Sequence, residues 1–234
     1  DLAEAADADV HFICVGTPQA PGENRADLTY VYAAADALGH HLREDALVVG
    51  KSTVPVATAE RLRRRIATAA GRDAAQVRLL WNPEFLREGF SIEDTLTPDR
   101  FVYGVAEPGS TEAQADVDLL DRVYAVALEA GTPRLVMDYP TAELVKVAAN
   151  AFLATKISFI NAMAEICEVT GGDVTQLAVA IGHDDRIGKL FLKAGVGFGG
   201  GCLPKDIRAF AARAEELGRG DSVRFLREVD DINK

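Results

Sequence analysis

The chain has 234 residues, of which 48% are hydrophobic and 26% charged, enough for one large domain or two small ones with a sizeable core. Its 36 acidic and 25 basic side chains give a net charge of −11, which argues against nucleic acid or an anionic membrane as the main ligand. Three scattered cysteines, no apolar run of roughly 18 residues and no signal-peptide pattern lead us to expect a cytosolic protein without disulfides.

The first 139 residues alternate short β-rich runs with helical patterns. The predicted strands cover residues 10–15, 46–49, 77–81, 101–105 and 134–137, and the predicted helices cover 27–38, 58–70 and 111–130. This alternation predicts a Rossmann-like parallel sheet with helices on both faces. Because ligands of such sheets bind beyond the carboxyl ends of the strands, we expect the polar loops TPQ, KSTVP and NPEFLREG to share one edge.

After Pro140 the pattern is helical throughout. Thr141 is the predicted N-cap of a very long helix, and Gly171 is predicted to end it near residue 170. Further helices are predicted from 173, from 204 to about 218, and from about 221. The expected fold class is therefore α/β, a partial Rossmann-like sheet followed by an all-helical domain.

The segment GFGGGCLPKD, residues 197–206, is the sharpest chemical feature. Cys202 lies two residues before Pro204, so it is predicted at a helix N-terminus, where the free N–H groups and the helix dipole favour a thiolate. Lys205 adds positive charge, and the glycines allow a substrate to approach the backbone. The alternative interpretation is a structural cysteine in a tight turn.

Two other patterns do not predict sites. Gly195, Gly197 and Gly200 match G-x-G-x-x-G, but helical sequence precedes them, so we reject a dinucleotide fingerprint there. The four histidines have no ligand-like spacing with cysteines or acidic residues, so we expect no metal site.

The predicted long helix carries a charged and polar group among apolar neighbours. Lys146 and Asn150 are four residues apart and share a face with Glu143. A lysine buried there needs a partner or a function. The alternative is that its ammonium group reaches solvent beside an inert asparagine.

Loop NPEFLREG, residues 82–89, follows the third predicted strand and contains two carboxylates. Glu84 and Glu88 are candidates for a general base and a ribose contact, and exposed backbone N–H groups are candidates for holding phosphate. Solvated loop charge is the alternative. Thr17 and Thr53 end strands at the same predicted edge, although hydroxyls in turns are common.

Seven segments, taken in chain order, resemble the UDP-glucose/GDP-mannose dehydrogenase family: CVGTPQ (14–19), KSTVP (51–55), NPEFLREG (82–89), TPDR (97–100), ELVKVAANAFLATKISFINAMAE (143–165), DDRIGKLFLKAG (184–195) and GFGGGCLPKD (197–206). The resemblance implies an NAD-dependent enzyme that oxidises the C6 alcohol of UDP-glucose to the carboxylate of UDP-glucuronate. In that family the motif cysteine forms a thiohemiacetal and then a thioester, which water cleaves. Residues 1–139 would be the C-terminal part of the NAD-binding domain and 140–234 the central helical domain.

The resemblance also implies the roles of individual residues. The implied catalytic residues are Cys202, Lys146, Asn150, Asp206, Glu84 and Thr53. The implied substrate contacts are Phe85, Leu86, Arg87, Glu88, Lys146, Asn150, Phe191, Lys193, the backbone around Gly199, and Arg186 toward the partner subunit's substrate. The implied NAD contacts are Val15, Thr17, Pro18, Thr53, Glu88, Cys202 and Lys205. Helix 141–170 would form the core of a homodimer.

This sequence departs from the family pattern in three places. The glycine-rich turn for the NAD pyrophosphate and the C-terminal domain lie outside these residues, and Gly201 stands where a serine commonly precedes the cysteine. We therefore expect the 234 residues alone to bind NAD poorly and to show no appreciable turnover. Three other hypotheses stay open: a dehydrogenase for GDP-mannose or another nucleotide sugar, an inactive dimerisation fragment, and a cysteine hydrolase that needs no NAD.

Overall fold

The computed structural model describes residues 2–234. The chain forms two compact units, which are described separately. The first contains Asp1–Pro18 and Asp27–Lys146, and the second contains Gln19–Ala26 and Val147–Lys234.

A five-stranded sheet forms the centre of the first unit. Its strands, in spatial as well as chain order, are β1 (Val10–Ile13), β2 (Leu47–Gly50), β3 (Arg78–Trp81), β4 (Phe101–Val105) and β5 (Arg134–Asp138). The pairs β1–β2, β2–β3 and β4–β5 are parallel, as predicted. All five predicted strands are therefore present, with ends that differ by at most two residues.

One strand pair differs from the predicted parallel arrangement. Strands β3 and β4 run antiparallel and pair at Trp81 and Gly104. The connection between them contains only the six-residue helix α3 (Ser91–Leu96), which is too short to carry the chain back along the sheet as a crossover helix does. The carboxyl ends of β4 and β5 therefore lie at the edge opposite to those of β1, β2 and β3.

Helices cover both faces of this sheet. They are α1 (Thr29–Gly39), α2 (Thr58–Ala70), α4 (Thr111–Val123) and α5 (Ala125–Glu129), and the last two replace the single predicted helix 111–130. Strand β2 is buried on both faces, because Val48 packs with α1 and α2 while Leu47 and Val49 pack with α4. At the end of β2 a Cβ atom on Gly50 would lie 2.1 Å from the ring of Trp81, so the tryptophan fills the space that a side chain would need.

The second half of the chain is built from helices. They are α6 (Tyr139–Thr170), whose first residues belong to the first unit, α7 (Val174–Gly182), α8 (Leu203–Glu216) and α9 (Phe225–Ile232). The prediction that Thr141 is the N-cap of α6 was wrong. The cap is Asp138, whose carboxylate accepts the backbone N–H of Thr141 at 2.8 Å, and Pro140 lies in the first turn of the helix. Gly171 ends α6 with a φ of 74°, as predicted, and the helix predicted from residue 173 is α7, whose N-cap is Asp173.

Helix α6 is long and apolar enough to cross a membrane when only length and composition are counted. It has 32 residues, and an 18-residue window within it has a mean hydropathy of 1.3. The sequence predicted no such segment, because α6 contains no unbroken run of about 18 apolar residues. The core helices of globular proteins pass the same test, and 33% of that window is buried in the structure.

Candidate functional site

The loops after β1, β2 and β3 meet at one edge of the sheet, as predicted from their order. Backbone bonds join consecutive loops, because Lys51 N–H donates to Ile13 O at 3.0 Å and Asn82 N–H donates to Gly50 O at 2.8 Å. The buried Thr17 hydroxyl donates to Thr53 O at 2.7 Å. Of the predicted NAD contacts in the first loop, Thr17 is thus buried, Val15 is half-buried and Pro18 is exposed.

At the same edge lies a polar cluster that sequence reasoning did not identify. Lys51 Nζ donates to Asn82 Oδ1 at 3.0 Å, and Tyr124 OH donates to the same oxygen at 2.9 Å. Asn82 Nδ2 in turn donates to Val102 O at 2.9 Å, which fixes the amide orientation. Burial lowers the pKa of Lys51 and raises the pKa of Tyr124 to about 12. The hydrogen-bond partners of the Lys51 ammonium group are therefore neutral, while Cys14, Glu84 and Lys146 also interact with its charge.

The structure brings together Glu84 and Lys146, two of the predicted catalytic residues. Their side chains approach within 3.3 Å, and the ammonium group of Lys146 lies 5.4 Å from the centre of the Phe85 ring. Lys146 is 6% exposed, so its ammonium group does not reach solvent as the alternative interpretation required. A carboxylate and an ammonium group at this distance suit the binding or deprotonation of a hydroxyl group.

Glu143, one turn before Lys146, has a structural partner instead of a ligand. Its carboxylate is buried and accepts three backbone N–H groups, from Ala57 at 2.5 Å, Thr58 at 2.9 Å and Ala59 at 2.6 Å. It therefore caps the N-terminus of α2 from a different helix. Burial raises the pKa of Glu143, and the three backbone donors oppose that shift.

The second half of loop NPEFLREG is exposed. Leu86, Arg87 and Glu88 lie at the surface, and Arg87 is paired with Asp94 at 2.6 Å. Bonding to Arg87 lowers the pKa of Asp94. To contact a ligand phosphate, the guanidinium group of Arg87 would have to leave Asp94 or bind Asp94 and the phosphate at the same time.

Cys202 occupies the N-cap position of α8, as predicted. Its carbonyl accepts the N–H of Asp206 at 3.0 Å, the first bond of that helix. The cysteine is exposed and forms no disulfide. Its side chain is thus accessible beside the end of a helix that favours negative charge.

Asp206, one turn into α8, connects two other predicted residues. Its Oδ2 accepts from Asn150 Nδ2 at 2.6 Å, and its Oδ1 accepts from Lys205 Nζ at 2.6 Å. Both Asp206 and Asn150 are buried, with exposures of 3% and 7%. The bond to Asp206 uses one of the two N–H groups of Asn150 Nδ2, so the other can donate to a reacting oxygen.

The predicted phosphate and sugar contacts Arg186, Phe191 and Lys193 are exposed, as is Gly199. Arg186 is paired with Asp184 at 2.6 Å. Phe191 has a φ of 62°, an uncommon value for a bulky residue, and such strained residues concentrate at functional sites. Among the residues that the structure describes, no group of three or more histidines, cysteines and acidic residues is arranged to hold a metal ion.

Two family models together match most of this chain. Residues 1–127 match the model of the UDP-glucose/GDP-mannose dehydrogenase family, NAD binding domain, and residues 140–234 match that of its central domain. The chain is 45% identical to a UDP-glucose 6-dehydrogenase of Pseudomonas aeruginosa, over 99% of this chain and 50% of that protein. It therefore spans about half the length of the relatives it matches.

Two solved structures resemble the fold across almost the whole chain. A UDP-glucose dehydrogenase from Pyrobaculum islandicum has a TM-score of 0.85 and 42% identity, covering 99% of this chain and 52% of its own. A GDP-mannose dehydrogenase from Pseudomonas aeruginosa has a TM-score of 0.71 and 30% identity, covering 99% and 53%. On the sequence match of both domains, the chain belongs to the UDP-glucose/GDP-mannose dehydrogenase family.

Proposed function

We propose that this chain is part of an NAD-dependent dehydrogenase that oxidises the C6 alcohol of UDP-glucose to the carboxylate of UDP-glucuronate. The observation that carries the proposal is Cys202 at the start of α8, one turn before an Asp206 that is bonded to Asn150 and Lys205. The 45% identity to a UDP-glucose 6-dehydrogenase supports the choice of substrate.

Cys202 supplies the covalent step in this proposal. Its thiolate adds to the carbonyl carbon of the aldehyde produced by the first oxidation, forming a C–S bond and an oxyanion. Asn150 and Lys146 are proposed to stabilise that oxyanion. Loss of a hydride from C6 then leaves a thioester, and attack by water breaks the C–S bond, releasing the carboxylate and restoring the thiol. Glu84, Thr53 and Asp206 are proposed to position or deprotonate the alcohol and the water.

The residues at the edge of the sheet fit NAD chemically. When bound, NAD accepts one hydride from C6 in each oxidation. Val15, Thr17, Pro18 and Thr53 are small and uncharged, and the bond from Thr17 to Thr53 O orders the two loops against each other. Such a surface beyond strand ends suits a flat nucleotide. Glu88, Cys202 and Lys205 remain proposed contacts.

Replacing the thiol tests the proposal. In the full-length protein we expect Cys202→Ser to abolish the second oxidation or to slow UDP-glucuronate formation by about 1,000-fold, because an alcohol is a far weaker nucleophile than a thiolate. Reduction of NAD and product formation are measured with UDP-glucose. The matched control is Cys167→Ala, which removes a buried thiol within α6. Two-step turnover that is unchanged in Cys202→Ser would remove this residue from the mechanism.

The alternative substrate within the family is GDP-mannose or another nucleotide sugar. The same assay with UDP-glucose and GDP-mannose at equal concentrations separates the two. We expect preference for UDP-glucose, because the identity to the GDP-mannose enzyme of known structure is lower, at 30%. A strong preference for GDP-mannose would overturn the proposed substrate and leave the covalent chemistry standing.

We also propose that the protein is a homodimer through helix 141–170. Within the second unit, Phe152, Phe159 and Ile166 follow one another at intervals of seven residues, with exposures of 66%, 47% and 55%. That spacing places them on one side of α6, as in helices that pack against each other along their length. A second copy of the chain would bury this apolar row.

A further inference from the structure

The glycine-rich loop before Cys202 is attached to α9 by one side chain. Phe198 N–H donates to Asn233 Oδ1 at 2.7 Å, and Asn233 Nδ2 donates to Phe198 O at 2.7 Å. The single amide thus satisfies both backbone groups of Phe198, as a neighbouring strand would. We call this pair of bonds the Asn233 clamp.

The clamp is rigid because the end of α9 is fixed at several points within the second unit. Leu226 and Val229 belong to the same apolar cluster as the Phe198 side chain. Asp230 is paired with Arg208 of α8 at 2.9 Å, and Ser158 of α6 donates to Val229 O at 2.7 Å. Asn233, four residues beyond Val229, is therefore presented by a helix that is tied to both α6 and α8.

The clamp also explains one glycine of the loop. Gly197 has a φ of 83°, and a Cβ atom there would lie 2.4 Å from Asn233 Oδ1. That oxygen cannot move away without breaking its bond to Phe198. By contrast, a Cβ atom on Gly199 or Gly201 would meet no heavy atom within 4 Å. Gly197 is thus required both by its positive φ and by the clamp, whereas Gly199 and Gly201 keep backbone open next to Cys202.

We propose that Asn233 is a positioning residue for Cys202. Phe198 is held on its backbone by the clamp and on its side chain by the core, and α8 begins at Leu203. Only Gly199, Gly200, Gly201 and Cys202 lie between these two fixed points. Without the clamp the flexible stretch lengthens, and Cys202 leaves the N-cap position from which its thiolate would attack. This role rests on the proposed function for its consequence in catalysis.

The test compares Asn233→Ala and Asn233→Asp with Asp231→Ala in the full-length protein. Asp231 is an exposed neighbour on the same helix, paired with Lys234 at the surface. The Asp variant keeps the acceptor for Phe198 N–H but places a carboxylate oxygen against Phe198 O, so it removes half of the clamp with almost no change in size. It also serves as the second variant if the Ala variant does not fold, as judged by circular dichroism.

Two measurements are made on each variant. The first is the rate at which iodoacetamide alkylates Cys202 without substrate or NAD, quantified by peptide mass spectrometry with Cys14 of the same sample as internal reference. We expect at least a ~3-fold lower rate for Cys202 in both Asn233 variants, because the thiol no longer lies at the helix end. The second is the split between kcat and KM, where kcat is expected to fall about 10-fold while KM changes less.

A double variant tests the link to Gly197. Gly197→Ala is expected to slow alkylation of Cys202 strongly in the wild-type background and less in the Asn233→Ala background, where the atom it would collide with is gone.

Unchanged alkylation of Cys202 in the Asn233 variants, or equal effects of Gly197→Ala in both backgrounds, would overturn the clamp. A wild-type protein that reacts normally with iodoacetamide but does not oxidise UDP-glucose would instead contradict the proposed function.

Discussion

Lys51 lies at the end of β2, and the hydrogen-bond partners of its ammonium group are uncharged, although Glu84 and Lys146 also act on its charge. It donates to Asn82 and lies 3.3 Å from the hydroxyl of Tyr124, whose ring centre is 5.6 Å away. Burial lowers the pKa of Lys51 from its ordinary 10.5, because a charged amine is poorly solvated there. The folded protein therefore releases this proton at a lower pH than the unfolded chain does.

This difference predicts a pH-dependent contribution to stability. Between the lowered pKa and 10.5 the unfolded chain binds more protons than the folded protein, so the free energy of unfolding rises with pH in that window. Lys51→Met removes the titrating group but leaves the bond from Tyr124 to Asn82. We expect the wild type to gain stability relative to Lys51→Met as pH rises, measured by urea unfolding from pH 7.5 to 10.5.

The control for this experiment is Lys189→Met, which removes a lysine at the surface. If the difference between wild type and Lys51→Met did not grow with pH beyond that seen for the control, the ammonium group would not be held in the low-dielectric setting that the contacts indicate.

The contacts among Lys51, Asn82 and Tyr124 could not be predicted from residue patterns. Cys202, Pro204 and Asp206 are close in the sequence, so their helical spacing predicted their arrangement. Tyr124 lies 42 residues from Asn82, at a break between α4 and α5 that no Gly or Pro marks. A contact of that kind depends on tertiary packing, and a single sequence does not show which helix end reaches the strand ends.

At the scale of elements, the start of α2 depends on a residue of α6. Ala57, which precedes α2, has a φ of 72° and donates its N–H to Glu143 instead of to a local side chain. A helix usually takes its cap from its own N-terminal residues. Here the cap joins the loop that carries Thr53 to the turn of α6 that carries Lys146.

Removing the cap should destabilise the first unit. Glu143→Ala leaves the N–H groups of Ala57, Thr58 and Ala59 without their acceptor in a buried place, and we expect a loss of about 3 kcal/mol in the free energy of unfolding. Glu143→Gln keeps one acceptor oxygen but turns an NH2 group toward the third donor, and we expect about 1 kcal/mol. Both values come from urea or thermal unfolding.

Glu60→Ala is the matched control, because Glu60 lies in the first turn of α2 and pairs with Arg63 and Arg64 at its surface. Such pairs contribute about 0.5 kcal/mol. A loss for Glu143→Ala no greater than for Glu60→Ala would show that water or another group replaces the cap.

The elements themselves could largely be predicted, and the exceptions have physical causes. Helix α2 and strand β4 begin and end at the predicted residues, because Gly71 and the flanking turns mark their ends. The direction of β4 could not be predicted from alternation alone, since it depends on the length of α3. The sequence predicts Glu143 only as a member of a polar helix face. Its role as the cap of α2 follows from its hydrogen bonds to residues about 85 positions earlier in the chain.

At the scale of the whole molecule, net charge and the apolar row of α6 act in opposite directions. A charge of −11 on each copy opposes association over distances of about 8 Å or less at physiological salt. Phe152 and Phe159, with 66% and 47% exposure, favour it. Because these rings are already partly buried, covering all four of them across a symmetric contact contributes about 3 kcal/mol at the lower end of the usual range.

The proposed dimer predicts a change in mass when this row is made polar. Phe152→Ser with Phe159→Ser should raise the dissociation constant by about 200-fold, the equivalent of about 3 kcal/mol, and shift the protein toward the monomer in sedimentation experiments at micromolar concentration. Val126→Ser, which changes an exposed apolar residue of α5, should stay dimeric. A wild-type monomer, or a double variant that dimerises like the wild type, would contradict the proposed interface.

Mixing inactive subunits tests whether the dimer also completes the site. Arg186 is predicted to reach the substrate of the partner subunit, and its side chain is 89% exposed beside Asp184. If that is so, a heterodimer of Cys202→Ser and Arg186→Ala subunits contains one site with both residues, because the Arg186→Ala subunit keeps its thiol and receives the arginine of the other. Turnover should then recover in the mixture to about a quarter of the wild-type rate, since random pairing makes half of the dimers mixed and each has one intact site of two. An arginine that acts within its own subunit would leave every site of the mixture defective, and no recovery would be seen.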